Sequence, residues 1–310
     1  LQGHSGNDSL YGGTGVNRLE GGPGADRLYG GSSFDYASYA YATAAVTVSI
    51  ADPRRNLGDA RGDSFSGIEG VLGSARGDRL YAGARTATLT GGGGGDTLFG
   101  AMAADVLYGG DGNDILSGGG GGDRLEGGAG YDWCDYSASK AGVIADLLTP
   151  TASTGDAARD SYFYIEAWRG SAFADRFYGD TLSNRLDGGA GNDRLHGRAG
   201  ADLLEGGSGT DTLTGGYGAD QFILRRLSDG ADLVTDYSAE DGDTLLLAIS
   251  DLAPDDIQLR LVALPGIGAS AVSEAQILYR PTGQVLFTLQ DGAAMADIFV
   301  RVGAVTYDLA

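Results

Sequence analysis

Only one cysteine occurs in the 310 residues, Cys134, so no internal disulfide can form and stability must come from another staple. Proline is scarce as well, at six, and no Gly-x-y period accompanies the glycine, which excludes a collagen triple helix. No apolar run reaches the ~18 residues of a membrane helix, and no signal peptide opens the chain. Positive charge is short: 21 Lys+Arg face 42 Asp+Glu, a formal charge of −21. Such a surface repels nucleic-acid phosphates and anionic membranes alike, and leaves cations as the natural ligands.

Catalytic signatures are missing too. The two histidines, His4 and His196, lie in separate segments and cannot form an H-E-x-x-H helix. No G-x-S-x-G elbow occurs, and the S-x-x-K spacing from Ser137 to Lys140 lacks the S-D-N and K-T-G motifs that would make it a β-lactamase-like nucleophile. Arg61-Gly-Asp63 and Arg76-Gly-Asp78 are read as incidental. The chain itself is expected not to be an enzyme.

What abounds is glycine, at 56 positions. Glycine loses the most backbone freedom on folding, so this many must serve particular backbone shapes. Leu, Val, Ile, Tyr and Phe are plentiful and regularly placed, which argues against disorder. The regularity resolves into nonapeptides. From Gly3 come GHSGNDSLY, GGTGVNRLE, GGPGADRLY and GGSSFDYAS; from Gly73, seven more, GSARGDRLY to GGAGYDWCD; from Gly170, six, GSAFADRFY to GGYGADQFI. Of these 17 units, position 1 is Gly in all but one (Ala82), position 6 is Asp in fourteen, and position 8 is Leu in thirteen. The x-Leu-x triplet reads as a very short strand with its middle side chain inward. One unit cannot bury that face alone, so stacked units must share it. Cys134 holds a Leu slot and is read as a small buried apolar residue. The opening Leu1-Gln2-Gly3-His4 reads as the middle of a repeat, and the chain is expected to be part of something longer.

The repeats occupy blocks 1–38, 73–135 and 170–223, separated by inserts 39–72 and 136–169. Both inserts are 34 residues long and align without a gap: Tyr39 with Tyr136, Asp63-Ser64 with Asp160-Ser161, Ile68-Glu69 with Ile165-Glu166. The blocks thus belong to a 97-residue super-repeat. Each insert is expected to hold a strand (Ala44–Ile50, Gly142–Leu148), a polar loop and a return segment. Beyond Ile223 the pattern changes. Strand-like stretches 257–264, 275–280 and 284–290, a turn at Pro281-Thr282-Gly283 and an apolar end at 296–310 predict that 224–310 caps the solenoid.

The nonapeptide GGxGxDxUx, with U apolar, resembles the RTX family of calcium-binding repeats in bacterial exoproteins secreted by the type I route, and the segment after the repeats resembles that of serralysin-type C-terminal domains. The resemblance implies an all-β fold, a right-handed parallel β-roll in three blocks with two β-type inserts and a C-terminal β cap. It also implies calcium held between turns eighteen residues apart, with ligands at Asp8, Asn17, Asp26, Asp35, Asp78, Asp96, Asp105, Asp114, Asp123, Asp132, Asp175, Asp193, Asp202, Asp211 and Asp220. About eight to ten ions are expected if each intact pair holds one. The alternative for each Asp is a plain Asx turn without metal, against which stands the mutual repulsion of stacked carboxylates. In the middle block a continuous row of ions is expected along Asp78, Asp96, Asp114 and Asp132, with a gap at Ala87–Asp105.

By the same resemblance the chain is secreted, through the type I apparatus as a partner, and stands outside the cell or at its surface. Three roles are open. One is a structural or adhesive protein, S-layer or matrix-like, with self-association or a cell-surface polysaccharide as the further partner; the 97-residue super-repeat favours it. Another is the non-catalytic export and folding module of a protease, lipase or polysaccharide epimerase whose catalytic domain lies upstream. The third is a stand-alone calcium-dependent binder of saccharide or protein. Outward aromatics eighteen apart, Tyr11 with Tyr29 and Tyr81 with Phe99, are expected to stack, either as plain cross-strand support or as an adhesive face.

Overall fold

The computed structural model describes residues 1–250, 252–262, 274–290, 298–302 and 305–308. They are all-β: strands of two to six residues joined by tight turns, with three-residue 3-10 turns as the only helical elements among the described residues. The chain divides into two compact units, Leu1–Ala138 with Ser153–Ala167, and Ser139–Ala152 with Trp168–Ala310.

In both units successive nonapeptides alternate between two sheets, and each strand pairs parallel with the one eighteen residues on. Leu80, Leu98, Leu116 and Cys134 form one inward ladder and Leu89, Leu107 and Leu125 the other. In the second unit Phe177, Leu195 and Leu213 are in register, as are Leu186, Leu204 and Phe222. This is a parallel β-roll. From Leu19 onward every position-8 side chain is at most 1% exposed, and only Leu10 in the first coil is less covered. Burying such a side chain contributes roughly 1.5–3 kcal/mol. It is realised only when a neighbouring coil stacks on it, so the roll is cooperative by construction. Burial also pushes the Cys134 thiol well above its ordinary pKa, as suits an inert core residue. The outer stacks form too: Tyr11–Tyr29 and Tyr81–Phe99 lie with ring centroids 4.7 and 4.6 Å apart and planes nearly parallel.

The first insert changes one wall of the roll. Its strand Ser64–Ser66 closes the sheet of Ser9–Gly13 and Arg27–Gly31. Thr47–Ser49 opens a new sheet that continues with Arg79–Tyr81 and Thr97–Phe99. The other wall runs on, from Tyr36–Ser38 through Gly70–Leu72 to Thr88–Gly93. In the second insert Ser161–Phe163 closes a sheet of the first unit by pairing with Arg124–Ala129, and Ile144–Asp146 opens a sheet of the second by pairing with Arg176–Tyr178. The opening strands are shorter than the expected Ala44–Ile50 and Gly142–Leu148, because the wall is only three residues wide and the flanking residues already turn.

After the repeats, Asp232–Val234 and Thr244–Leu247 add one more parallel rung to each sheet of the second unit. Gln284–Leu289 then pairs parallel with Asp232–Val234, and the antiparallel strands Glu274–Tyr279 and Ile257–Val262 follow. Gly283 (φ +72°) stands in the expected hairpin turn. Phe299–Val302 and Val305–Asp308 form an antiparallel pair on Thr244–Leu247. Val234, Leu245, Leu247, Ile277, Phe287, Leu289 and Val300 are buried there. Positions 263 and 264 of the expected strand, and 296, 297, 303, 304, 309 and 310 of the apolar end, lie outside the described residues.

Leu107→Ala should destabilise the calcium-loaded fold by about 2–5 kcal/mol, since the cavity sits between Leu89 and Leu125. Ser117→Ala on the outer face should change it by less than ~0.5 kcal/mol. Denaturant unfolding in saturating calcium measures both.

Candidate metal centres

The position-6 aspartates point inward along the turns. All but Asp8 are at most 1% exposed. Apart from Asp8, Asp78 and Asp175, each presents Oδ1 to the amide of the position-6 residue eighteen places earlier: Asp8 N–H donates to Asp26 (2.8 Å), Asp96 to Asp114 (2.7 Å), Asp193 to Asp211 (2.7 Å) and Asp202 to Asp220 (2.8 Å). Eleven Asp at this spacing therefore act first as rungs that tie one coil to the next, and Asp78 and Asp175 do so with Val46 and Val143, 32 residues earlier.

Their second oxygen separates them into two classes. Oδ2 is buried with no hydrogen-bond partner in Asp8, Asp26, Asp35, Asp96, Asp114, Asp123, Asp132, Asp193, Asp202, Asp211 and Asp220. In Asp78, Asp105 and Asp175 it accepts an amide of its own turn: Ser74 N–H at 2.5 Å, Ala101 N–H at 2.9 Å and Ser171 N–H at 2.6 Å. Asn184 Oδ1 is likewise taken by the Asp180 N–H. The difference lies at position 2 of the turn. Where Oδ2 is unpartnered, position 2 has positive φ, as at Gly110 (+118°), and even at His4 (+71°) and Arg198 (+81°). Ser74, Ala101, Ser171 and Asp180 are outside that region, and their amides fold onto their own acid. Along the edge where a continuous row of ions is expected, Asp78 thus differs from its neighbours: its Oδ2 is taken by Ser74, while those of Asp96, Asp114 and Asp132 are unpartnered. At Ala87–Asp105, where a gap is expected, Asp105 Oδ2 is taken by its own turn. Asn17 differs again, for its amide nitrogen donates to the Gly15 carbonyl at 2.7 Å.

The unpartnered oxygens face a lining of carbonyls. A Cβ on Gly91 would lie 2.1 Å from Asp96 Oδ2 and 2.6 Å from the Gly109 oxygen. Cβ atoms on Gly110 and Gly112 would meet the Gly92 and Gly94 oxygens at 2.1 and 1.9 Å. Only glycine lets the coils come this close. Among the described residues no three His, Cys, Asp or Glu side chains converge on one point. An ion here would therefore draw on backbone oxygens as well as on carboxylates. All-oxygen donors with charge from two stacked acids suit calcium, a hard cation taking six to eight oxygens. The electrostatics agree. Burial, augmented by the neighbouring carboxylates, pushes Asp96 and Asp193 up to about 8 and Asp123 to about 7. Two such acids become easy to ionise together only with a cation between them. Consecutive Asp with both Oδ2 unpartnered are Asp8/Asp26, Asp96/Asp114, Asp114/Asp132, Asp193/Asp211, Asp202/Asp220 and Asp211/Asp232.

Asp232 was not anticipated. Its Oδ1 accepts the Asp211 N–H at 3.1 Å, its Oδ2 is unpartnered, and Gly230 (φ +113°) packs on the Gly209 carbonyl. The spacing of 21 in place of 18 hides it from the period, although Gly230 and Asp232 stand two apart like positions 4 and 6. Asp63 and Asp160 continue the rungs of Asp26 and Asp123, and Glu69 and Glu166 those of Asp35 and Asp132. These four were visible as aligned insert residues.

The chain matches the family of RTX calcium-binding nonapeptide repeats over residues 2–37, 72–134 and 169–226, just over half its length. It belongs to that family, and its repeats are a calcium-binding region. No curated protein matches the chain. Among solved structures it is similar to the AlgE6R3 subunit of the Azotobacter vinelandii mannuronan C5-epimerase, at 27% identity and a TM-score of 0.31, covering 39% of this chain and 74% of that one.

Asp114→Ala removes a carboxylate shared by two neighbouring pairs and should raise the calcium midpoint of folding by on the order of tenfold. Asp105→Ala loses one rung, about 1 kcal/mol, with little change in that midpoint. Circular dichroism during calcium titration compares them; equal midpoints would refute the assignment of the free oxygens.

Proposed function

We propose that this calcium-binding region belongs to a secreted bacterial protein, exported by a type I apparatus, and that it orders when it meets calcium outside the cell. The observation that carries this is the set of buried, unpartnered Oδ2 atoms facing carbonyl oxygens. Without a cation such a stack of acids is costly to bury, so little of the repeat region is stable and the chain stays threadable. With millimolar calcium, sites of ~10⁻⁴–10⁻³ M affinity fill, and binding free energy becomes folding free energy.

The roll itself is the working part, a non-catalytic structural or adhesive element at the cell surface. Supporting this is the duplicated junction chemistry of the inserts: Tyr39 to Asp63 and Tyr136 to Asp160, both 2.7 Å, with Val46 to Asp78 and Val143 to Asp175 at 2.7 and 2.6 Å. The duplicated unit is an architecture rather than a reaction centre. Its acids are engaged in holding coils together.

In chelator the chain should lose most of its β-sheet circular dichroism and regain it cooperatively on adding calcium; a spectrum indifferent to chelator would reject the calcium-driven fold. For the adhesive role, sedimentation velocity in calcium should reveal self-association, or binding to bacterial surface polysaccharide should appear in a cosedimentation assay. A monomer that binds none would eliminate that role.

A further inference from the structure

The insert junctions treat their acids differently from the repeats. Asp63 stands where a repeat aspartate would, 1% exposed, with Oδ1 on the Asp26 N–H at 2.8 Å. Its Oδ2, the atom left unpartnered in the metal-competent turns, accepts the hydroxyl of Tyr39, itself 2% exposed. The next acid, Asp78, is filled by the Val46 and Ser74 amides and the Ser74 hydroxyl. Glu69 Oε2 takes the Asp35 N–H, and Asn56 bridges the Ser49 N–H to the Asp63 carbonyl. Val46, Val48, Ala60, Ile68 and Val71 supply an apolar core beneath these bonds. In the second insert Tyr136 takes the Asp160 oxygen, Val143 and Ser171 fill Asp175, and Glu166 takes the Asp132 N–H.

We propose that the insert junctions fold without calcium and serve as fixed points from which the calcium-driven ordering of the repeats extends. A buried carboxylate supplied with protein donors is stabilised in place, whereas one left with an unpartnered oxygen beside another acid is not. The tyrosine hydroxyl does at the junction what the ion does between repeats: it occupies Oδ2. The proposal rests on the reading that the repeats themselves need calcium. Native-state ordering then has two thresholds, a metal-independent one at the junctions and a metal-dependent one between them.

Hydrogen exchange of the whole chain, followed by mass spectrometry in calcium and in chelator, tests this. In chelator, peptides within 39–72 should exchange slower by on the order of tenfold or more than peptides within 91–132, and calcium should protect both. Equal, fast exchange of both in chelator overturns the proposal and leaves calcium-driven folding standing. Protection of 91–132 in chelator overturns both. Tyr39→Phe should abolish the chelator-resistant protection of 39–72 and have it restored by calcium, while Tyr11→Phe, on the exposed stack, should leave it intact. Unchanged exchange in Tyr39→Phe would show that the hydroxyl does not hold the junction.

Discussion

A buried aspartate that reaches back with one oxygen to an amide of the preceding coil is the contact on which the molecule depends. Within the repeats it holds the eighteen-residue register, with carboxylate and amide 2.6–2.8 Å apart. It draws the acid out of water, so its remaining oxygen has to be answered by something. It also brings the glycine turns so close that carbonyls meet where side chains would stand. The leucine ladder supplies most of the burial energy, but it would tolerate slippage along the coil; the acid rungs set the register.

How the second oxygen is answered gives each part of the chain its character. A left-handed position 2 turns the turn's own amide away and leaves the oxygen to a cation. A serine or alanine there closes the turn on itself. A tyrosine at the insert junctions answers it with a hydroxyl. Three chemical solutions to one electrostatic problem thus occur along the chain; Asp78 and Asp175, 97 residues apart, share one, whereas Asp105 differs from Asp8 and Asp202.

The architecture was legible because it is written in periods. Nine residues, eighteen for stacking and 97 for the super-repeat lead directly to parallel rungs such as Leu98 on Leu80 and to matching inserts. The division among the acids was not legible. Ser74 and Ser171 in place of glycine are a visible signal, yet His4 and Arg198 are also non-glycine and still adopt positive φ. Side-chain identity alone does not fix the turn. Asp63 was visible as an aligned insert residue, but its rung, like that of Asp232, was hidden for a simpler reason. The two rungs span 37 and 21 residues, so a search in steps of eighteen passes over them.

The change of walls at the first insert has a mechanical consequence. In the first unit one sheet runs unbroken from Arg18–Leu19 to Ser161–Phe163, while the sheet opposite it ends at Ser64–Ser66 and its successor begins at Thr47–Ser49. The joints are staggered, as in bonded brickwork. Tension along the stacking direction is carried past the insert by the hydrogen bonds of Tyr36–Ser38 to Gly70–Leu72 and of Gly70–Leu72 to Thr88–Gly93. A long excursion in the sequence is therefore not a weak point under load, because the continuous wall passes behind it.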